Sequence, residues 1–193
     1  MKLLNSGGIK LRVITGIAKG HKLKAPKGMN TRPTTDRIKE NLFNIIGDID
    51  CNSLVLDLFA GSGNVGIEFL SRGAEKCYFI DVNISSYKVI LENIKKTKLN
   101  KKSEIYRTTY DKALRVLGNK NIKFNYVFLD PPYNKDLVKK ALNFIDVYNL
   151  LAKDALVIVE HEKKLDLSEF SSKYHINTRN YGDTSISFLS IGR

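Results

Sequence analysis

The sequence predicts an α/β protein in which helices cover both faces of a mostly parallel sheet. From residue 53 onwards, short β-like runs alternate with segments whose apolar residues recur every three or four positions. Such alternation is typical of parallel sheets, because a crossover helix must carry the chain back to the start of the next strand. The apolar run VFL before Asp130 is uninterrupted, as expected of a strand in the middle of such a sheet.

Two elements are predicted ahead of this alternating region. Two β-like runs in residues 11–26 (LRVITGIAKGHKLKAP) predict an N-terminal hairpin, and Thr34 or Thr35 can cap the helix that follows. We therefore expect a basic hairpin extension in residues 1–30 and a main domain in residues 31–193. The residues predicted on the buried side of that helix are Ile38, Leu42, Phe43 and Ile46.

The rest of the chain predicts the sheet and its last strands. Residues 173–191 hold two β-like runs joined near Gly182 and Asp183, with no room for a crossover helix, so an antiparallel strand is expected at the far edge of the sheet. The predicted strands before this hairpin are 53–58, 76–81, 103–108, 124–130 and 155–161, and the predicted helices are 64–72, 85–98, 110–117 and 135–148.

Composition narrows the class of protein. The chain has 193 residues, of which 42% are hydrophobic, enough to bury a core without disulfides or metals. The two cysteines, Cys51 and Cys77, have no partner spacing for zinc. No run approaches the roughly 20 apolar residues of a membrane span. We expect a soluble cytoplasmic protein with no metal and no membrane attachment.

Positive charge is concentrated near the N-terminus. The net charge is +12, and residues 1–46 hold ten Lys or Arg against two acidic residues. This asymmetry favours a polyanionic partner such as nucleic acid, although a solvated lysine-rich surface would look similar. A second basic cluster comprises Lys95, Lys96, Lys98, Lys101 and Lys102.

A glycine-rich loop follows the first strand of the main domain. Gly61, Gly63 and Gly66 form G-x-G-x-x-G, which lets backbone N–H groups approach a ligand at the start of the next helix. Asp81 ends the second strand, where a carboxylate can accept hydrogen bonds from ribose hydroxyls. Together these features predict an adenosine-containing cofactor, and the spacing alone also fits an oxidoreductase that binds NAD.

The stretch FLDPPY, residues 128–133, closes the fourth predicted strand. That strand should lie beside the first, where the strand order reverses and ligands bind. The Asp130 carboxylate and the Pro131 carbonyl can accept hydrogen bonds from a nucleobase amine and localise its lone pair on nitrogen. Tyr133 offers a face for an extruded base. Alone, the same residues also fit a simple strand terminator.

An amine held in this way needs an activated methyl group as its electrophile. S-adenosyl-L-methionine carries such a methyl group on its sulfonium, and its adenosine suits the glycine loop and Asp81. The residues therefore predict methyl transfer to the amino nitrogen of a base.

Several motifs resemble a known family. DPPY resembles the signature of amino-methyltransferases that act on nucleic-acid bases, and DLFAGSGNVGIE resembles their cofactor motif. The block RVITGIAKGHKL, followed by RPTTDRIKENLFN and the closing GDTSISFL, resembles the RsmD family over about residues 12–193. The family consists of bacterial methyltransferases of guanine N2 in 16S rRNA. The resemblance implies a Rossmann-like class I methyltransferase domain with a seven-stranded sheet whose last strand is antiparallel.

The resemblance also implies the site residues. Asp130, Pro131 and Tyr133 would hold the target amine, whereas the turn at 108–111 leaves open which residue contacts adenine. Asp111 fits an ordinary acid at a helix start equally well. The implied cofactor contacts are Arg32, Thr34, Asp57, Phe59, Ala60, Gly61, Ser62, Gly63, Asp81 and Thr109. The implied RNA contacts are Arg12, Lys19, His21, Lys22, Lys24 and Arg32.

The leading prediction is therefore a monomeric guanine-N2 methyltransferase of 16S rRNA, acting on an assembled or partly assembled small ribosomal subunit. A DNA adenine-N6 or cytosine-N4 methyltransferase is the alternative enzyme, against which the absence of a sizeable target-recognition insert counts. An NAD-binding oxidoreductase and a non-catalytic RNA-binding protein are alternatives of other classes.

Overall fold

The computed structural model describes residues 11–26, 36–132 and 135–191. In these ranges the chain forms nine strands and five α-helices. The strands are β1 Leu11–Arg12, β2 Lys22–Leu23, β3 Leu54–Leu58, β4 Lys76–Asp81, β5 Ser103–Arg107, β6 Phe124–Leu129, β7 Leu151–Glu162, β8 Tyr174–Tyr181 and β9 Thr184–Ile191. The helices are α1 Asp36–Ile46, α2 Asn64–Ser71, α3 Ile84–Thr97, α4 Tyr110–Asn119 and α5 Lys135–Val147.

Seven strands form one sheet in the order β5-β4-β3-β6-β7-β9-β8. The first five strands in this order are parallel to one another, and β9 is antiparallel to both of its neighbours. The predicted mostly parallel sheet with an antiparallel last strand is confirmed. This strand lies inside the sheet, however, because β8 pairs with its outer side and forms the edge.

The helices divide between the two faces of the sheet. One face packs against α1, α2 and α3 through residues that include Phe43, Phe69 and Ile90. The other packs against α4 and α5 through residues that include Leu114 and Leu142. Within the described ranges, no helix combines the length and the apolar character that a membrane span requires.

The predicted N-terminal hairpin is present and packs into the main core. Strands β1 and β2 pair antiparallel over two residues each. Leu11, Val13, Ala18 and Leu23 are buried in the same cluster as α1 and α2. Two-residue strands cannot hold a hairpin in water alone, so these contacts must supply its stability.

A buried ionic network fixes the hairpin to α1 and α2. The Glu68 carboxylate accepts hydrogen bonds from the backbone N–H groups of Ile14 and Thr15 at 2.8 and 2.9 Å. It also pairs with Lys39 at 3.2 Å and with Arg72 at 3.0 Å, and the side chains of Glu68 and Lys39 are both fully buried. The Lys39 ammonium donates in addition to the carbonyl oxygen of Arg12 and to Oδ1 of Asn64.

Helix α1 buries a different set of residues from the predicted one. Leu42 and Phe43 are buried as predicted, whereas Ile38 and Ile46 are only partly buried against the same cluster. Lys39 takes the place of a core residue because its charge is met by the network around Glu68. The predicted Thr34 or Thr35 cap lies outside the described residues.

Candidate active site

A cavity of about 530 Å³ opens at the carboxyl ends of the parallel strands. Its volume lies in the range typical of sites for small molecules and cofactors. The cavity is bounded by the ends of β4, β6 and β7, by the loop after β3 and by the start of α4. Its lining comprises Phe59, Gly61, Ile80, Asp81, Val82, Asn83, Thr108, Thr109, Tyr110, Asp111, Asp130, Pro131, Pro132, Leu137, Val138, Glu160, His161, Glu162, Leu165 and Thr184.

The loop after β3 owes its shape to two residues with left-handed backbone conformations. Phe59 has φ of 77° and Gly61 has φ of 56°, and this left-handed region is disfavoured for a bulky residue such as Phe59. The strain at Phe59 is offset by hydrogen bonds from the N–H groups of Phe59 and Ala60 to the carbonyl oxygen of Ile80. The chain therefore turns sharply beside the end of β4, where Gly61 lines the cavity.

Asp81 links this loop to the end of β4. Its Oδ2 accepts a hydrogen bond from the Gly61 N–H at 2.8 Å, and its Oδ1 accepts one from the Asn83 N–H at 2.7 Å. Each carboxylate oxygen can accept a second hydrogen bond. Because Asp81 also lines the cavity, its remaining acceptor positions suit the two hydroxyls of a ribose.

Asp57 lies beneath the loop in the interior. Its Oδ2 accepts a hydrogen bond from the Gly66 N–H at 3.0 Å. Burial, with a further contribution from Asp81, raises the pKa of Asp57 to about 8, against the lowering effect of the Gly66 hydrogen bond. A Cβ atom at Gly66 would lie 2.4 Å from the Phe79 ring, so glycine is what lets α2 approach β4.

Asp130 directly follows β6 and lines the cavity next to β7. Burial raises the pKa of Asp130 well above its ordinary value, and the neighbouring carboxylates of Glu160 and Asp57 raise it further. Pro131 is buried and lines the cavity beside Asp130. The Asp130 carboxylate therefore lies close to other acidic groups, at the point where the strand order reverses and ligands are expected to bind.

The structure gathers six of the predicted site residues around the cavity: Phe59, Gly61, Asp81, Thr109, Asp130 and Pro131. Four others do not line the cavity: Ala60, Ser62 and Gly63 belong to the loop itself, and Asp57 lies beneath it in β3. Tyr133, Arg32 and Thr34 lie outside the described residues. The functional roles assigned to all of these residues remain predictions.

The turn at 108–111 borders the cavity with all four of its residues. The nearby Thr109 side chain is the main cause that lowers the pKa of Asp111. Tyr110 stacks obliquely on Phe59, with ring centroids 5.7 Å apart. The two rings join the turn to the glycine loop, and Tyr110 also contacts the Phe144 ring of α5, with centroids 5.9 Å apart.

The end of β7 contributes residues that the sequence analysis did not assign to the site. Glu160, His161 and Glu162 line the cavity, as do Leu165 and Thr184. His161 is placed by contacts of its Nε2 with the Ser187 hydroxyl and of its Nδ1 with the Glu162 carbonyl oxygen, both at 2.8 Å. The parallel-strand rule could have identified Glu160, because it lies at the end of a predicted strand.

The predicted RNA-binding residues that the structure describes, which exclude Arg32, lie on the hairpin or next to it. Arg12 pairs with Asp36 at 2.9 Å and Lys24 pairs with Glu92 at 2.5 Å, both near the surface. Lys19 and Lys22 are exposed, and His21 is half-buried with its Nδ1 near the Ala18 carbonyl oxygen. Exposed ion pairs are worth at most about 1 kcal/mol, so phosphates can replace the acidic partners.

The second basic cluster adjoins the hairpin. Lys96 in the last turn of α3 donates a hydrogen bond from Nζ to the Lys22 carbonyl oxygen at 2.6 Å. On the same helix, Asn93 is buried and bridges the Lys24 backbone to the Ser62 carbonyl oxygen. One side chain therefore supports both the hairpin and the glycine loop.

The described residues fit an adenosine-containing cofactor. Asp81 offers acceptors for ribose hydroxyls, Gly61 presents backbone without a side chain, and Phe59, Val82 and Leu137 give apolar walls. The described ranges hold no cluster of three or more His, Cys, Asp or Glu side chains able to bind a metal ion.

Comparisons with known proteins identify the family. The family model described as Conserved hypothetical protein 95 matches residues 11–190. The chain is 42% identical over 159 residues to "Putative rRNA methyltransferase YlbH" of Bacillus subtilis (strain 168), covering 82% of this chain and 86% of that protein. It is 34% identical over 158 residues to "Ribosomal RNA small subunit methyltransferase D" of Escherichia coli (strain K12), covering 82% and 78%.

The fold comparison agrees with the sequence comparison. The structure named "Putative methyltransferase yhhF from Escherichia coli" matches with a TM-score of 0.80 and 28% identity, covering 94% of this chain and 98% of that one. The predicted family and class I methyltransferase fold are thus confirmed. The chain belongs to the RsmD family of methyltransferases.

Proposed function

We propose that this protein transfers a methyl group from S-adenosyl-L-methionine to the N2 amine of a guanine in 16S rRNA of the small ribosomal subunit. The proposal rests on the observation that Asp130 and Pro131 line the same cavity as Gly61 and Asp81. A group that accepts hydrogen bonds from an amine thus faces a site suited to an adenosine cofactor. The names of the relatives support rRNA of the small subunit as the substrate.

The cofactor site is assembled from three strand ends. Asp81 at the end of β4 would accept hydrogen bonds from the ribose hydroxyls, while the Gly61 loop and Phe59 would border the adenosine and methionine portions. The residues of the 108–111 turn would border the adenine. When bound, S-adenosyl-L-methionine supplies a methyl group that is already activated by its sulfonium charge.

The chain itself has to orient the amine. A carboxylate at Asp130 and the carbonyl oxygen of Pro131 would each accept one N–H of the guanine amine, which localises the nitrogen lone pair towards the methyl group. Fixed acceptors lower the barrier because they need not reorganise during the reaction. Tyr133 would stack on the base after it leaves its helix or loop.

The hairpin and the end of α3 would hold the RNA. Lys19, Lys22 and Lys24 lie on the hairpin, and Lys96 contacts the hairpin from α3. Such lysines position a nucleic acid through its phosphates without reading its sequence. We also propose that residues 1–30 act as an RNA-binding extension of a methyltransferase domain spanning residues 31–193.

The first experiment measures transfer of a labelled methyl group to small ribosomal subunits that lack the modification. Naked 16S rRNA and DNA are tested in parallel, and the labelled nucleoside is identified by mass. We expect N2-methylguanosine in the subunits. Label on DNA adenine or cytosine would refute the substrate while leaving the chemistry of Asp130 intact.

A variant links the activity to the site. Asp130→Ala should reduce methyl transfer about a hundredfold or more, because an oriented acceptor is lost from the reacting centre. Binding of S-adenosyl-L-methionine, measured by calorimetry, should persist. Loss of cofactor binding together with activity would instead show that Asp130 is structural.

A further inference from the structure

A second carboxylate lies beside Asp130 at the edge of the cavity. Strands β6 and β7 are parallel and pair Leu129 with Val159, so the next residues of the two strands, Asp130 and Glu160, are neighbours. Glu160 is only 8% exposed, and it lines the cavity as Asp130 does.

The alternation of side chains puts both acids on one face of the sheet. Phe128 and Ile158 belong to the core on the α1–α3 side, whereas Leu129 and Val159 belong to the core on the α4–α5 side. The residue after each pair returns to the first face, because side chains alternate along a strand. Asp57, which contacts Gly66 of α2, is on that face too.

Two adjacent acceptors match only one of the bases that carry an exocyclic amine. Guanine presents two neighbouring donors, the N2 amine and the N1–H. Adenine and cytosine place a ring-nitrogen acceptor next to their amine. An ionised carboxylate accepts hydrogen bonds but donates none. It would therefore attract the N1–H of guanine and repel the ring nitrogen of the other two bases.

We propose that Glu160 is a specificity-determining residue that accepts the N1–H of the target guanine while Asp130 and Pro131 hold its N2 amine. This inference rests on the proposed function and names the feature that selects guanine. It does not require that Glu160 lack other contacts, because a carboxylate has about four acceptor positions on its two oxygens.

The test replaces the target guanine by 2-aminopurine, which keeps the amine but has a lone pair instead of a hydrogen at N1. Small subunits are reconstituted with 16S rRNA carrying either base at the methylated position. For the wild-type enzyme, kcat/KM should fall roughly ten- to hundredfold with 2-aminopurine, the usual scale of discrimination by a good paired contact.

Glu160→Gln should abolish most of this discrimination. Its amide can donate to the N1 lone pair of 2-aminopurine or accept from the N1–H of guanine, so the ratio of the two kcat/KM values should fall to a few-fold. The analogue also lacks O6, but that difference is common to the wild type and the variant and cancels from the comparison. Glu162→Gln, also at the cavity, should leave the ratio at its wild-type value.

A general structural defect would lower both rates and leave their ratio unchanged, and this result would overturn the role of Glu160. If Glu160→Gln fails to bind the cofactor, Glu160→Ala provides the same test, since it removes the acceptor and should also lower the ratio. Absence of any methylguanosine with the wild-type enzyme would refute the proposed function itself. Methylation of guanine with an unchanged ratio would refute only the inference on Glu160.

Discussion

The replacement Glu68→Gln tests whether the hairpin depends on the buried ionic network. Glu68 accepts from the N–H groups of Ile14 and Thr15 and pairs with Lys39 and Arg72. A glutamine of the same size has one acceptor oxygen, and its NH₂ group would face donors. It also leaves the fully buried Lys39 ammonium without its counter-charge. Breaking one side of a buried ion pair costs about 3–5 kcal/mol.

Urea unfolding measures this loss directly. A loss of this size is a large part of the roughly 5–15 kcal/mol that stabilises an ordinary domain, and it should lower the unfolding midpoint by more than about 1 M. The control is Glu92→Gln, which removes the exposed pair with Lys24 and should cost at most about 1 kcal/mol. The reasoning is refuted if the two variants unfold within about 1 kcal/mol of each other.

Three further predictions concern packing, ionisation and RNA contact. Gly66→Ala should lower the free energy of unfolding, measured in urea, by about 1–3 kcal/mol, because the added Cβ would meet the Phe79 ring. The same change in an open helix stabilises by about 1 kcal/mol, so a gain in stability would contradict the close packing. The rate of methyl transfer should fall as the pH drops through the raised pKa of Asp130, because the protonated acid no longer accepts a hydrogen bond from the amine. A rate that stays constant down to the ordinary carboxyl range near pH 4 would argue against this role of Asp130. Replacing Lys19, Lys22 and Lys24 together by Ala should weaken binding to 16S rRNA and reduce the salt dependence by roughly 2 units of slope, and an unchanged slope would exclude phosphate contacts by these lysines.

The sequence predicted most of the secondary structure because its elements carry strong periodic patterns. Strand β4 has the predicted bounds, and α4 begins at the predicted residue. The largest difference is β7, which begins at Leu151 rather than 155. Residues 151–154 include exposed Lys153 and Asp154, and the pairing of β6 with β7 shifts register between Phe124 and Tyr126. Pairing with a neighbouring strand, rather than local composition, extends this strand.

The candidate site was only partly predictable, for a physical reason. Motifs identified Gly61, Asp81 and Asp130, because their chemistry is visible in short contiguous stretches. Glu160 carries no motif, and its place beside Asp130 depends on the pairing of β6 with β7. Lys39 was missed because a charged residue is normally exposed, and the groups that neutralise it come from segments far apart in the chain.

The same residues hold the hairpin and the glycine loop in place, and this affects how RNA would be recognised. Asn93 contacts Lys24 and Ser62, and Lys39 contacts Arg12 and Asn64. A hairpin with two-residue strands has too few internal hydrogen bonds to hold its shape alone, so its lysines are positioned by the same residues that position the loop. The surface that would grip phosphates and the loop that would bind the methyl donor are therefore held in register by the folded domain. A change at Asn93 should impair both surfaces, whereas a change at an exposed hairpin lysine should impair only the first.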